Sequence, residues 1–175
     1  MKLKSITKTS LVISGIISLV FLIQACKKDE KVDPDDTMLF EMSRSADGFK
    51  WFKNSPAFLA KSAGSGHTQA LLRVRYNATA ATQLDSNGRI IAGSVFPEGS
   101  LIVKELIEQP GELARYAILY KQKDHRYADA KGWVWGYINV DGSVAETAAN
   151  KGEACSSCHS QSANIDYQLM NKYFP

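Results

Sequence analysis

Cysteine is scarce in this chain, with three among 175 residues. One is Cys26, and the other two stand together as Cys155-Ser-Ser-Cys158-His159. No pair is left for a structural disulfide. An excess of charge of one sign is also missing. There are 21 basic residues against 18 acidic ones, and three of the basic residues are Lys2, Lys4 and Lys8. Beyond that first stretch the two signs balance, which argues against a nucleic-acid partner, since that would need basic residues gathered on one face. A long apolar run is lacking too. The stretch from Leu11 to Ile23 falls short of the roughly 20 residues that a membrane-spanning helix requires.

What is present at the N-terminus is the order of an export signal. Three lysines precede the short apolar run, and Gln24-Ala25-Cys26 follows it. A small residue directly before a cysteine resembles the lipobox of bacterial lipoproteins, with Cys26 as the first mature residue and the lipid carrier. A plain secretory signal or an uncleaved anchor is the alternative. Residues 1–25 are thus expected to be signal peptide. Residues 26–37 are charged, contain Pro34 and have almost no apolar side chains. Such a segment cannot bury enough surface to offset its ordering entropy and is expected to be a flexible tether. The expected place of the protein is the periplasmic or surface side of a bacterial envelope, held to the membrane by lipid.

Cys155, Cys158 and His159 form the C-x-x-C-H pattern of covalent c-type haem attachment. The two thiols lie about one turn apart and can add to the two vinyl groups of one porphyrin. The adjacent imidazole then reaches the iron from the same side. Two other readings compete. A redox Cys-x-x-Cys pair belongs in a βαβ setting, which is not found here. A zinc site needs four ligands, and the spacing of His67 and His125 from the pair matches no common zinc pattern.

Residues 38–175 read as one domain without internal repeats. Leu39, Met42 and Ala46, continued by Phe49 and Phe52, predict a helix over 37–53, ended by Ser55-Pro56. Strand alternation follows over 69–77, with Leu72, Val74 and Tyr76 on one face and Arg73 and Arg75 on the other. Asn77 is a plausible cap for a short helical turn over 78–84. Further strands are predicted at 101–108, 113–121 and 132–140. Asp141-Gly142 is a hairpin signal before a short return strand over 143–147. The fold class is therefore β-rich α+β: an antiparallel sheet, a few short helices and a C-terminal haem-attachment segment.

Three stretches together resemble the cytochrome P-460 family: Leu72-Arg-Val-Arg-Tyr-Asn77, Phe96-Pro-Glu-Gly-Ser-Leu-Ile-Val-Lys-Glu-Leu106, and Gly132-Trp-Val-Trp-Gly-Tyr137 running on to the haem motif. The resemblance implies a β-rich, often dimeric fold with one haem c per chain and His159 as axial iron ligand. It also implies either of two activities. Some members oxidise hydroxylamine and carry a lysine cross-linked to haem. Others, similar to cytochrome c-prime-beta, lack the cross-link and bind small gases such as nitric oxide. A redox partner protein would accompany electron transfer.

Lys104 shares a strand face with Ile102 and Leu106 and is the candidate for a cross-link if that face abuts the haem; an ion pair is the alternative. Glu105 lies on the opposite face, as a paired carboxylate or a proton-transfer group. Arg73 and Arg75 are candidates to pair haem propionates, or else carboxylates across the sheet. For the sixth iron position, Met38, Met42, Met170, His67 and His125 qualify by type, with His67 and His125 expected at the surface. An open or weakly occupied sixth position is the expectation.

Overall fold

The computed structural model describes residues 32–175. The export signal and the lipid site at Cys26 lie outside the described residues. A seven-stranded antiparallel sheet forms the centre: β1 (Lys50–Trp51), β2 (Leu59–Ala60), β3 (Leu71–Tyr76), β4 (Leu101–Gln109), β5 (Glu112–Lys121), β6 (Trp133–Asn139) and β7 (Val144–Glu146). The order is β1-β3-β4-β5-β6-β7, with β2 also paired to β3. With three short α-helices among the described residues, this is the β-rich α+β class that the alternation predicted.

Period-two alternation gives the sheet two apolar faces. One carries Leu72, Val74, Tyr76, Ile102, Leu106, Leu119, Trp133 and Trp135. The other carries Leu101, Val103, Tyr116, Ile118, Val134 and Ile138, and helix α1 (Pro34–Arg44) covers it through Leu39.

Helix α1 departs from expectation at both ends. It begins inside the segment expected to be tether. Asp33 Oδ1 accepts from Asp35 N at 2.9 Å, and Pro34 takes the first position, where its missing N–H costs nothing. Asp36 is buried rather than solvated, and its carboxylate accepts from Thr147 Oγ1 at 2.6 Å and from Ala148 N at 2.7 Å. The helix then stops at Arg44 instead of running to Lys53. The Arg75 guanidinium, arriving from β3, donates to the carbonyls of Ser43 and Ser45 and closes the helix end. Phe52 is buried from a 3₁₀ turn that follows β1. Thr79 stands at the N-cap of the short 3₁₀ turn Ala80–Gln83, and Asn77, two residues earlier, supports its start by accepting from Ala80 N through Oδ1 at 2.9 Å.

Candidate functional site

Helix α2 (Glu153–His159) contains the whole C-x-x-C-H motif. It lies against the sheet face that carries Trp135. Gly152 just before it has φ +70°, and a Cβ there would fall 2.5 Å from the Trp135 indole. Only glycine lets the chain turn into the helix so close to the ring. Cys155 and Cys158 follow at helical i,i+3 spacing, so their thiols share one side. Both are free, Cys155 half-buried and Cys158 exposed. Burial, with Glu146 adding its charge, pushes the Cys155 thiol up.

The two thiols and His159 line a cavity of about 380 Å³, within the size range of small-molecule sites. Its sheet side includes Ile102, Lys104, Leu119 and Tyr137. Its other side includes Gln168, Leu169 and Met170 from the C-terminal segment, which ends in helix α3 (Met170–Tyr173).

His159 is held from behind. Its Nδ1 lies 2.7 Å from the Tyr167 carbonyl oxygen. A carbonyl only accepts, so Nδ1 carries the proton and Nε2 keeps a free lone pair. The edge of Trp135 meets the ring at 5.3 Å and 83°. Burial, then the charge of Lys104, pushes the imidazolium down to about 4, which keeps the ring neutral as metal ligation requires.

The carbonyl that orients His159 sits on a strained turn. Asp166 and Tyr167 have φ of +46° and +70°, a region side chains other than glycine seldom adopt. The Asp166 carboxylate pins this turn by accepting from Lys121 Nζ at 3.1 Å, Phe96 N at 3.0 Å and Trp133 Nε1 at 3.1 Å. Sequence reading gave no role to Asp166 or Lys121, because neither stands in a motif.

Lys104 enters the same cavity from β4, flanked across the sheet by Val74 and Ala117. Burial lowers its pKa to about 8, with Cys158 opposing. Its amine lies 3.4 Å from His67 Nε2, and His67 Nδ1 lies 3.2 Å from the Tyr137 hydroxyl. His67 was expected at the surface, and the structure corrects this: it is half-buried and lines the cavity. Burial and then Lys104 push its pKa down to about 3. The loop bringing it in runs tight against the Tyr173 ring at Gly64. Arg115, also missed, lies on the cavity wall with its guanidinium 4.4 Å from the Tyr137 ring centre.

Glu105, Arg73 and Arg75 are on the other face of the sheet. Glu105 binds Arg73 Nε at 2.6 Å and Arg75 Nε at 3.0 Å. The propionate role considered for the two arginines is therefore corrected, and so is a cavity role for Glu105. Their parity on β3 and β4 points them away from the cysteines, and each already has a partner. His125 pairs with Asp35 at 3.5 Å. Met38 and Met42 pack on the α1 side. Of the sixth-ligand candidates, only His67 and Met170 line the cavity.

These residues fit a covalent haem: two free thiols one turn apart, an imidazole with its Nε2 free, an apolar floor, and Gln168 Nε2 buried at the wall without a protein partner. Among the described residues no cluster of three or more His, Cys, Asp or Glu is placed to hold a bare metal ion, so the zinc reading has no ligand set. The family model Cytochrome P460 matches residues 47–169. The chain belongs to the cytochrome P-460 family. The match spans the entire sheet and the haem motif, and membership implies a haem cofactor. No curated protein and no solved structure matches the chain.

Proposed function

We propose that this cytochrome P-460 protein is a mono-haem c-type cytochrome that binds a small nitrogen–oxygen ligand such as nitric oxide or carries electrons. Cys155 and Cys158 hold the porphyrin as thioethers, and His159 Nε2 ligates the iron. The observation that carries this reading is the 2.7 Å contact from His159 Nδ1 to the Tyr167 carbonyl. It frees the other ring nitrogen in the cavity that both thiols also line. Bound there, haem supplies an iron with a coordination position for a small ligand and a one-electron couple. The chain supplies the apolar floor and the polar group of Lys104, His67 and Tyr137. On this reading the protein is exported and lipid-anchored through Cys26, meets a redox partner protein at the membrane surface, and pairs as a homodimer.

Lys104 favours a second reading, oxidation of hydroxylamine with this lysine cross-linked to haem. Its face does abut the cavity, and burial leaves part of the amine uncharged and nucleophilic near neutral pH. The visible spectrum of protein matured beside a c-type attachment machinery separates the two. An ordinary high-spin c-type spectrum with carbon monoxide binding supports the first. A strongly red-shifted ferrous band, lost in Lys104→Met, supports the second. Colourless protein removes both and leaves the redox cysteine pair.

A further inference from the structure

Four polar side chains around the cavity form a connected line. The Lys104 amine meets His67 Nε2 at 3.4 Å, and His67 Nδ1 meets the Tyr137 hydroxyl at 3.2 Å. Arg115 stacks on the Tyr137 ring at 4.4 Å. They come from three strands and one loop, so the line is assembled by the fold and not by local sequence. Its inner end is a lysine set on an apolar strand face among Ile102, Leu106 and Val74. Its outer end, Tyr137 with Arg115, is half-buried and reaches partial solvent exposure.

The hydrogen-bond chemistry gives the line a direction. A lysine ammonium only donates, so Nε2 of His67 accepts and Nδ1 carries the ring proton. Nδ1–H then donates to the Tyr137 oxygen, and the Tyr137 proton is free to point toward water. Both ring nitrogens are thus used by the protein. His67 is a bridge with two engaged ends rather than a free ligand for a metal. Burial keeps the ring from holding a charge of its own, which suits a group that passes a proton on without storing it.

We propose that Lys104, His67 and Tyr137 form a proton-transfer line that accepts the proton a weakly acidic ligand must give up on binding in the cavity. The inference rests on haem being held there by Cys155, Cys158 and His159. The ligand class is small neutral acids of the H–X type, to which protic nitrogen–oxygen compounds belong. The proton balance is simple. The ligand's proton goes to Lys104 Nζ as Nζ gives one to His67 Nε2. The Nδ1 proton passes to the Tyr137 oxygen, and the Tyr137 hydroxyl proton leaves to water. No electron moves in these steps.

The test compares two probes on haem-loaded protein. Hydrogen cyanide must lose a proton to bind ferric haem, whereas carbon monoxide binds ferrous haem without one. Association rates are measured by stopped flow for the wild type, His67→Gln and Tyr137→Phe. Both variants are expected to slow cyanide association about tenfold or more, the lower range of general acid–base effects, and to leave carbon monoxide association unchanged. Equal slowing of both probes means that the side chains only shape access, and overturns the line. Unchanged cyanide kinetics in both variants also overturns it. A colourless wild type sinks this inference and the haem reading together. A coloured wild type with unaffected variants sinks the proton line alone.

Discussion

His159 Nδ1 donates to the carbonyl of Tyr167 at 2.7 Å, and Tyr167 directly follows Asp166, whose carboxylate is gripped by Lys121, Trp133 and the Phe96 amide. The His159 imidazole, the iron ligand on the proposed reading, is therefore aimed by a buried ion pair on the residue next to its carbonyl partner. The Lys121–Asp166 pair is almost fully enclosed. Removing one member of such a pair costs about 3–5 kcal/mol, because the other charge is left stranded. Asp166→Ala should lose about that much in urea unfolding. Its haem-loaded fraction should also show a disturbed axial-ligand spectrum, whereas Asp166→Asn should retain more of both.

The opposite face of the sheet gives a contrasting outcome. Glu105 neutralises Arg75, which is fully buried and also closes helix α1 through the Ser43 and Ser45 carbonyls. Glu105→Ala should destabilise the protein by about 3–5 kcal/mol on the same grounds. The haem spectrum of the folded fraction should match the wild type, since Glu105 does not line the cavity. Denaturant titration alongside the visible spectrum checks both halves.

Gly152 permits the approach of helix α2 to Trp135. A Cβ at that position would fall 2.5 Å from the indole, on a backbone with φ +70°. Gly152→Ala should cost about 1–3 kcal/mol from overpacking alone, plus strain. It should also lower the share of chains that acquire haem, read as the ratio of haem absorbance to protein.

Lys104 should mark the alkaline side of the stability curve in chains prepared without haem. Burial holds its folded pKa at about 8 against an ordinary value of 10.5. Between those values the unfolded chain binds more protons, so this group's contribution is full above 10.5 and is lost as pH falls through about 8. Wild-type stability should rise relative to Lys104→Met between pH 8 and 10.5. A pH-independent difference between the two would refute the burial of that amine.

The strands were readable because alternation is a local property. Lys104 and Glu105 had to face opposite ways, and the structure keeps them so, with Val74 beside one and Arg73 beside the other. Helix α1 was misjudged because its end is set from a distance. Phe49 and Phe52 continue the apolar stripe, but Arg75 on β3 captures the carbonyls that would have carried the helix forward. His67 escaped notice for a related reason. A residue just after a glycine-containing loop turn, Gly64-Ser-Gly66, has no periodicity, and its place depends on Tyr137, Lys104 and Tyr173. The cysteine pair and His159 stood out because their spacing is itself the pattern of haem attachment, and the structure brings all three to one cavity.

The most direct measurement is the intact mass of the protein matured beside a c-type attachment machinery, taken under denaturing conditions. The account predicts a chain heavier by one haem, with neither Cys155 nor Cys158 open to alkylation, and a Cys155→Ala/Cys158→Ala variant that has lost this covalent mass. A wild-type chain of unmodified mass at the motif, with both thiols alkylated, would contradict it.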